Sequence, residues 1–313
     1  MQIGILEPKD FSQKALDELS IIGNVSLFKN EKLDVFLLSK KIIFIRLGYF
    51  IDKSFLNMSK SLEYICTPTT GLNHIDLIEC ESRGIKVVSL KGEYKFLSTI
   101  RATPEHTFGL VLSLLRNYKN AFLSQANRSW DRERYKGLEL YENNIGIIGF
   151  GRVGKILSKY FDAFNSIVYF YDIDSHICTV NNAKKTNSLT ELISRSNVII
   201  MSASFCKNNF KFFNKKYIDL LENKYFINTS RGELVDEDYL IKKIEEGFLN
   251  GVAIDVIQNE QVVNNNLNKI LNLSDIRNII ITPHISGVTY SSMHRTEEFI
   301  VNKLNFNFLK IDL

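Results

Sequence analysis

The stretch Asn144-Ile-Gly-Ile-Ile-Gly149-Phe-Gly151-Arg-Val-Gly154-Lys155 constrains this chain more than any other. An apolar, β-branched run leads directly into glycines spaced G-x-G-x-x-G, and a helix-forming stretch, Lys155–Phe161, follows. Each glycine has a physical task in such a strand–turn–helix unit. Gly149 permits the tight turn, Gly151 lets a pyrophosphate approach the backbone, and Gly154 lets the helix pack on the strand. The helix N-terminus then offers free N–H groups to the phosphates. Glycine turns alone occur in many loops. Here the next apolar run, Ile167-Val-Tyr-Phe-Tyr171, ends on Asp172, and 172 − 151 = 21 residues. That is near the spacing of about 20 at which a carboxylate meets the adenosine ribose hydroxyls of a dinucleotide. A carboxylate there repels a 2′-phosphate, so NAD is favoured over NADP. The pattern GxxxxGK also fits Gly149–Lys155, but a triphosphate-binding loop needs Ser or Thr next to hold Mg²⁺. Ile156 stands there instead.

Around this unit, short β-branched runs alternate with helix-length amphipathic stretches. Ile3–Leu6, Ile42–Ile45, Tyr64–Cys66 and Lys86–Val88 read as strands, with helices such as Phe11–Ser20 and Lys53–Met58 between them. A second series comprises Ile145–Ile148, Ile167–Tyr171, Val198–Ser202, Tyr225–Asn228, Gly251–Asp255 and Ile279–Thr282. Two βα series in 313 residues imply an α/β chain of two Rossmann-like, doubly wound parallel-sheet domains. Pro104–Asn117 reads as a helix with Pro and Glu in its first turn, bridging the domains. The Asn-rich piece Asn264–Asn268 reads as a surface loop. The net charge is only +4, without a dense Lys/Arg block, so nucleic acid is not an implied partner. The cysteines Cys66, Cys80, Cys178 and Cys206 are scattered without metal-like spacing. No basic leader precedes a long apolar run, and no apolar run can span a bilayer. A cytoplasmic protein with no metal and no membrane partner is expected.

Three further strand ends carry residues suited to carbonyl chemistry: Asn228-Thr229-Ser230-Arg231-Gly232, Asp255-Val-Ile-Gln-Asn-Glu260, and Thr282-Pro-His284-Ile-Ser-Gly287. Singly, Arg231 reads as a surface cation, Glu260 as a loop acid and His284 as a turn residue. Placed after successive strands of a dinucleotide fold, where ligands bind outside the carboxyl ends of the strands, they read together as a site.

Over nearly its whole length the chain resembles the D-isomer-specific 2-hydroxyacid dehydrogenases. The resemblance rests on Thr70-Gly-Leu-Asn-His-Ile-Asp76, Ala102-Thr-Pro-Glu-His-Thr107, Gly146–Gly154, Asn228–Asp236, Asp255–Glu260 and Thr282–Thr289. It implies that Arg231, Glu260 and His284 are the catalytic trio, and that Thr70 and Gly71 hold the substrate carboxylate with backbone amides. It places Arg152 and Val153 at the phosphate turn and Asp255 on the nicotinamide carboxamide. Ala203, Thr229, Ser230 and Gly287 complete the expected cofactor set. The chain departs from the family in having Ser202-Ala203-Ser204 where His-x-Pro is frequent, Gln261 where Pro follows the catalytic Glu, and Ile257 where an aromatic is common. Arg46 is expected at the substrate, meeting a phosphate or second carboxylate; the alternative is a strand-end surface cation.

The resemblance implies hydride transfer between NADH and a small 2-oxoacid, with Arg231 gripping the carboxylate and His284, supported by Glu260, donating the proton. An NAD(H)-sensing corepressor or a formate- or phosphonate-oxidising relative are the alternatives. The expected domains are residues 1–95 with 289–313 for substrate and 96–288 for NAD, with a hinge at the crossings near 92–104 and 286–291. The C-terminal helical stretch Ser291–Leu309 completes the first. A homodimer is expected, with the apolar helix Thr107–Leu115 either contributing to it or lying in the core.

Overall fold

A computed structural model describes residues 1–126, 130–260 and 265–306. The chain divides into two compact units, Met1–Ile100 with the C-terminal stretch from Val288, and Arg101–Gly287. Among the described residues no helix is long and apolar enough to cross a membrane.

The first unit is built on strands β1 (Gln2–Ile5), β2 (Asn24–Leu27), β3 (Ile42–Phe44), β4 (Tyr64–Thr67) and β5 (Lys86–Ser89). They form one parallel sheet in the order β2-β1-β3-β4-β5. Strand β3 is Ile-Ile-Phe, buried throughout, as a central parallel strand covered on both faces must be. One face is closed by Gln13–Ile22 and the C-terminal helix Tyr290–Leu304, whose Ile300, Val301 and Leu304 join Ile3, Ile5, Leu19 and Phe44 in the core. Removing this helix would expose three fully buried side chains, at about 1.5–3 kcal/mol each. Residues 96–100, expected with the second domain, belong to this unit. Leu97 enters its core, and the Phe96 ring stacks on Phe299 at 4.0 Å. The end of the expected helix, 307–309, lies outside the described residues.

The second unit carries β6 (Asn144–Ile148), β7 (Ile167–Tyr171), β8 (Lys184–Lys185), β9 (Val198–Met201), β10 (Tyr225–Asn228), β11 (Gly251–Ile254) and β12 (Ile279–Ile281). The parallel order is β12-β11-β10-β9-β6-β7-β8. Chain order therefore reverses between β6 and β9, which opens a crevice at their carboxyl ends. The helix Ala102–Leu115 does not bridge the units: Leu110, Val111, Leu114 and Leu115 lie in the second unit's core with Phe150, Leu157 and Phe161. The Asn-rich piece is no loop from residue 265 onward. It opens the helix Asn265–Ser274, which is held by buried Ile270 and by Asn266 Nδ2 donating to Asp238 (3.0 Å).

Candidate active site

The glycine-rich turn sits at this reversal. Gly149 has φ +88°, and a Cβ on it would come within 2.6 Å of the Ala203 backbone. Only glycine both adopts that backbone and admits the loop after β9 so closely. A Cβ on Gly154 would lie 2.6 Å from the Gly149 carbonyl, so the helix Arg152–Ala163 packs against its own incoming strand through that glycine. At Gly151, which caps this helix, a Cβ would meet nothing within 4 Å. The space above the helix N-terminus is open, and its first-turn N–H groups face no intrahelical acceptor. Arg152 is half-buried there. Burial and the neighbouring Arg101 charge pull its pKa below the ordinary arginine value, the setting of a site that gains from a bound anion. Val153 follows, packed partly on the core.

Asp172 closes this turn from the next strand. Its Oδ2 accepts from the Phe150 N–H (2.7 Å) and its Oδ1 from the Asp174 N–H (2.9 Å), beneath a Phe150–Phe170 stack with centroids 3.8 Å apart. The carboxylate retains lone pairs for hydroxyl donors. The open Gly151 cradle, the helix N-terminus and the positioned Asp172 together fit a dinucleotide.

The other strand ends lie side by side. After β10, Asn228 brackets the turn: its Nδ2 donates to the Arg231 carbonyl (3.0 Å) and its Oδ1 accepts from the Ser230 N–H (3.0 Å). Ser230 Oγ donates to the Ala203 carbonyl, and Thr229 Oγ1 bonds Thr107 Oγ1 at 2.7 Å. A Cβ on Gly232 would lie 2.2 Å from Ile257 C, so the turn carrying Arg231 rests directly on the loop carrying Glu260. After β11, Glu260 Oε1 accepts from the Ile257 N–H (3.2 Å), and Oε2 faces His284 Nδ1 at 2.6 Å. His284 is a non-glycine residue at φ +52°. Its N–H donates to the Asp255 carbonyl (2.9 Å), which fixes this unusual backbone. The imidazole is about one-fifth exposed, with Nδ1 engaged and Nε2 left for chemistry.

Asp255 is buried, and its carboxylate points into the protein. It accepts from Thr282 Oγ1 (2.5 Å) and from the N–H groups of Ile285 (2.9 Å) and Ser286 (2.9 Å), with His106 Nε2 at 3.5 Å. Burial alone would raise its pKa, but these donors outweigh burial and hold it below the ordinary value. Thus Asp255 clamps the turn that bears His284 and Gly287. His106 and Glu237 had no role in the sequence reading. His106 Nε2 reaches Thr282 Oγ1 at 3.2 Å, and buried Glu237 accepts from the Gln258 N–H at 2.6 Å beneath the Glu260 loop. The signal for His106 was present: it stands among the polar residues of the first turns of a helix that becomes largely apolar from Phe108 onward. Gln261 lies outside the described residues.

In the first unit, Thr70 and Gly71 follow β4. The Thr69 hydroxyl donates to the Gly71 carbonyl (2.9 Å), and the N–H groups of Thr70 and Gly71 take no part in the backbone bonding of the loop. Arg46, after β3, gives Nε and Nη2 to Glu297 and Nη1 to the Lys9 carbonyl.

Comparison with known proteins identifies the family. The family model described as D-isomer specific 2-hydroxyacid dehydrogenase, NAD binding domain, matches residues 108–286. The chain is 28% identical over 261 residues to a glyoxylate reductase of Thermofilum pendens, covering 81% of this chain and 74% of that protein. It is 30% identical over 252 residues to a D-3-phosphoglycerate dehydrogenase of Bacillus subtilis, covering 79% of this chain but only 45% of that protein. The structure of a D-lactate dehydrogenase from Aquifex aeolicus, complexed with NAD and lactic acid, matches with a TM-score of 0.83 at 26% identity, over 99% of this chain and 96% of that one. The chain belongs to the D-isomer-specific 2-hydroxyacid dehydrogenases, NAD-dependent enzymes acting on CH–OH groups, and NAD is its cofactor.

Proposed function

We propose that the chain reduces a small 2-oxoacid to the D-2-hydroxyacid, with Arg231, Glu260 and His284 as its catalytic residues. The observation that carries this reading is the His284–Glu260 pair at 2.6 Å, held on a strained, doubly anchored turn beside the turn that carries Arg231. Bound NADH supplies the hydride. Gly149, Gly151, Arg152, Val153 and Gly154 hold its pyrophosphate, and Asp172 holds the adenosine ribose. Ala203, Thr229, Ser230 and Gly287 border it, while Asp255 acts through the turn it clamps. The backbone amides of Thr70 and Gly71 receive the substrate carboxylate. Arg231 stabilises the negative charge that develops on the carbonyl oxygen, and this charge is larger in the transition state than in the ground state. His284 Nε2 donates the proton to that oxygen, with Nδ1–H fixed by Glu260. In the oxidative direction the neutral imidazole takes the proton back. The test is NADH oxidation with glyoxylate, pyruvate and hydroxypyruvate by wild type and His284→Ala. Wild-type turnover by the variant would remove the role.

The same reading includes a homodimer. The helix Ala102–Leu115 is core, but the second unit exposes Phe122 (67%), Trp130 (89%), Tyr141 (56%) and Phe164 (46%), large apolar groups that a partner surface would cover. Light scattering should give twice the 36.1 kDa of one chain, and a monomer at micromolar concentration would remove the claim. A cytoplasmic location suits the free cysteines Cys66, Cys80, Cys178 and Cys206.

A further inference from the structure

The first sheet has its own reversal of chain order. Strands run to one side from β1 to β2 and to the other from β1 through β3, β4 and β5, so the crevice falls at the carboxyl ends of β1 and β3. The residues there are Glu7 and Arg46. Glu7 Oε2 accepts from the Arg46 N–H (2.5 Å) and Oε1 from the Gly48 N–H (3.0 Å). A Cβ on Gly48 would lie 2.7 Å from that oxygen, so the carboxylate is packed against the loop. The guanidinium of Arg46 turns the other way. Nε and Nη2 donate to Glu297 Oε1 (3.0 and 2.5 Å), Nη1 donates to the Lys9 carbonyl (2.9 Å), and the group lies 5.9 Å from the Phe11 ring centroid. Glu297 is fully buried, and its Oε2 accepts from the Ser12 N–H at 2.8 Å. Both carboxylate oxygens of Glu297 and three donors of Arg46 are therefore satisfied inside the unit. Among the described residues Glu7 forms no ion pair. The wall holds two carboxylates against one guanidinium.

We propose that Glu297 converts Arg46 into an internal counter-ion and that Glu7 leaves this crevice net negative, so that the enzyme selects 2-oxoacids with a small, uncharged side chain and rejects those carrying a second anion. The inference rests on the 2-oxoacid reductase reading above and deepens it. A second phosphate or carboxylate arriving here would have to strip Arg46 from Glu297, leaving a buried carboxylate without its cation, or remain beside Glu7 uncompensated. Like charges placed this way reject a ligand by repulsion rather than by shape. His294 lies nearby, with its Nε2 bound to the Asp10 carbonyl (3.1 Å), so all substrates are compared at a single pH.

The experiment is NADH oxidation by the full chain with two sets of substrates. Glyoxylate, pyruvate and hydroxypyruvate carry one anionic group; oxaloacetate and phosphohydroxypyruvate carry a second. Wild type should show kcat/KM at least about tenfold higher for the first set. Glu297→Gln, which releases Arg46, should raise the ratio of oxaloacetate to pyruvate turnover by about tenfold. Glu7→Gln, which lies at the loop and removes one negative charge, should move the ratio the same way, and it serves if Glu297→Gln does not fold. Equal or better use of the dianionic substrates by wild type overturns the proposal and leaves the reductase reading intact. So does an unchanged ratio in a folded variant. Absence of turnover with every substrate overturns both.

Discussion

Replacing Glu237 with Gln should stabilise the second unit above neutral pH and leave it nearly unchanged at pH 5. Burial pushes the Glu237 carboxyl up to about 7, against the Gln258 N–H and Asn266 bonds that favour its charge; Glu233 and Asp238 add repulsion. The ordinary value is 4.5. The folded chain thus holds this proton more tightly than the unfolded chain does. Below pH 4.5 both states are protonated and the side chain imposes no charge penalty. From pH 4.5 to about 7 the unfolded chain gives up its proton first, and stability falls as pH rises; above 7 the full cost persists. A shift of this size corresponds to about 3 kcal/mol at 1.36 kcal/mol per pKa unit. Gln cannot ionise, and its amide oxygen still accepts from Gln258 N–H, so the loop bearing Glu260 keeps its support. At roughly 2–4 °C per kcal/mol for a unit of this size, the variant should melt about 5–10 °C above wild type at pH 8 and within about 2 °C of it at pH 5. Thermal melts followed by circular dichroism at both pH values measure this. A variant that melts with wild type at pH 8, or below it at both, refutes the reasoning.

Three further outcomes follow from the site. His284→Ala should lower kcat for 2-oxoacid reduction by about 10²–10⁴, and Glu260→Gln by less, since the imidazole stays in place but loses its carboxylate partner; steady-state kinetics at saturating NADH decide both. Asp172→Ser should lower kcat/KM for NADH and raise it for NADPH, narrowing their ratio by about tenfold, because the repulsion of a 2′-phosphate is relieved; equal use of both cofactors by wild type refutes the role. Gly232→Ala must displace the Ile257–Gln258 backbone, which a Cβ would approach to 2.2–2.3 Å. It should cost at least about tenfold in kcat, since a misplacement near 1 Å is that expensive, and unaltered kinetics would show that the two turns are not coupled.

Much of this protein is local and therefore legible in its residues. Buried parallel strands are continuous β-branched runs, so β3, β6, β7, β9, β10, β11 and β12 stand out within a residue or two of their ends. The glycine turn stands out as well, because its geometry leaves no other residue type for Gly149. Two of the edge strands do not announce themselves: Asn24–Leu27 is half-exposed and partly polar, and Lys184–Lys185 is two residues long. The helix Asn265–Ser274 was hidden by residues of poor helix propensity, which burial of Ile270 overrides. The partners of the site's supporting residues lie far off in the chain. His106 meets Thr282 176 positions away, Glu237 meets Gln258 across 21, and Arg46 meets Glu297 across 251. The sequence by itself determined which chemical groups stand at the strand ends, because strand, turn and helix are set by neighbours in the chain. Whether Arg46 is a free cation or a buried counter-ion was decided only by the fold, because desolvation and pairing depend on which distant side chain is packed against it.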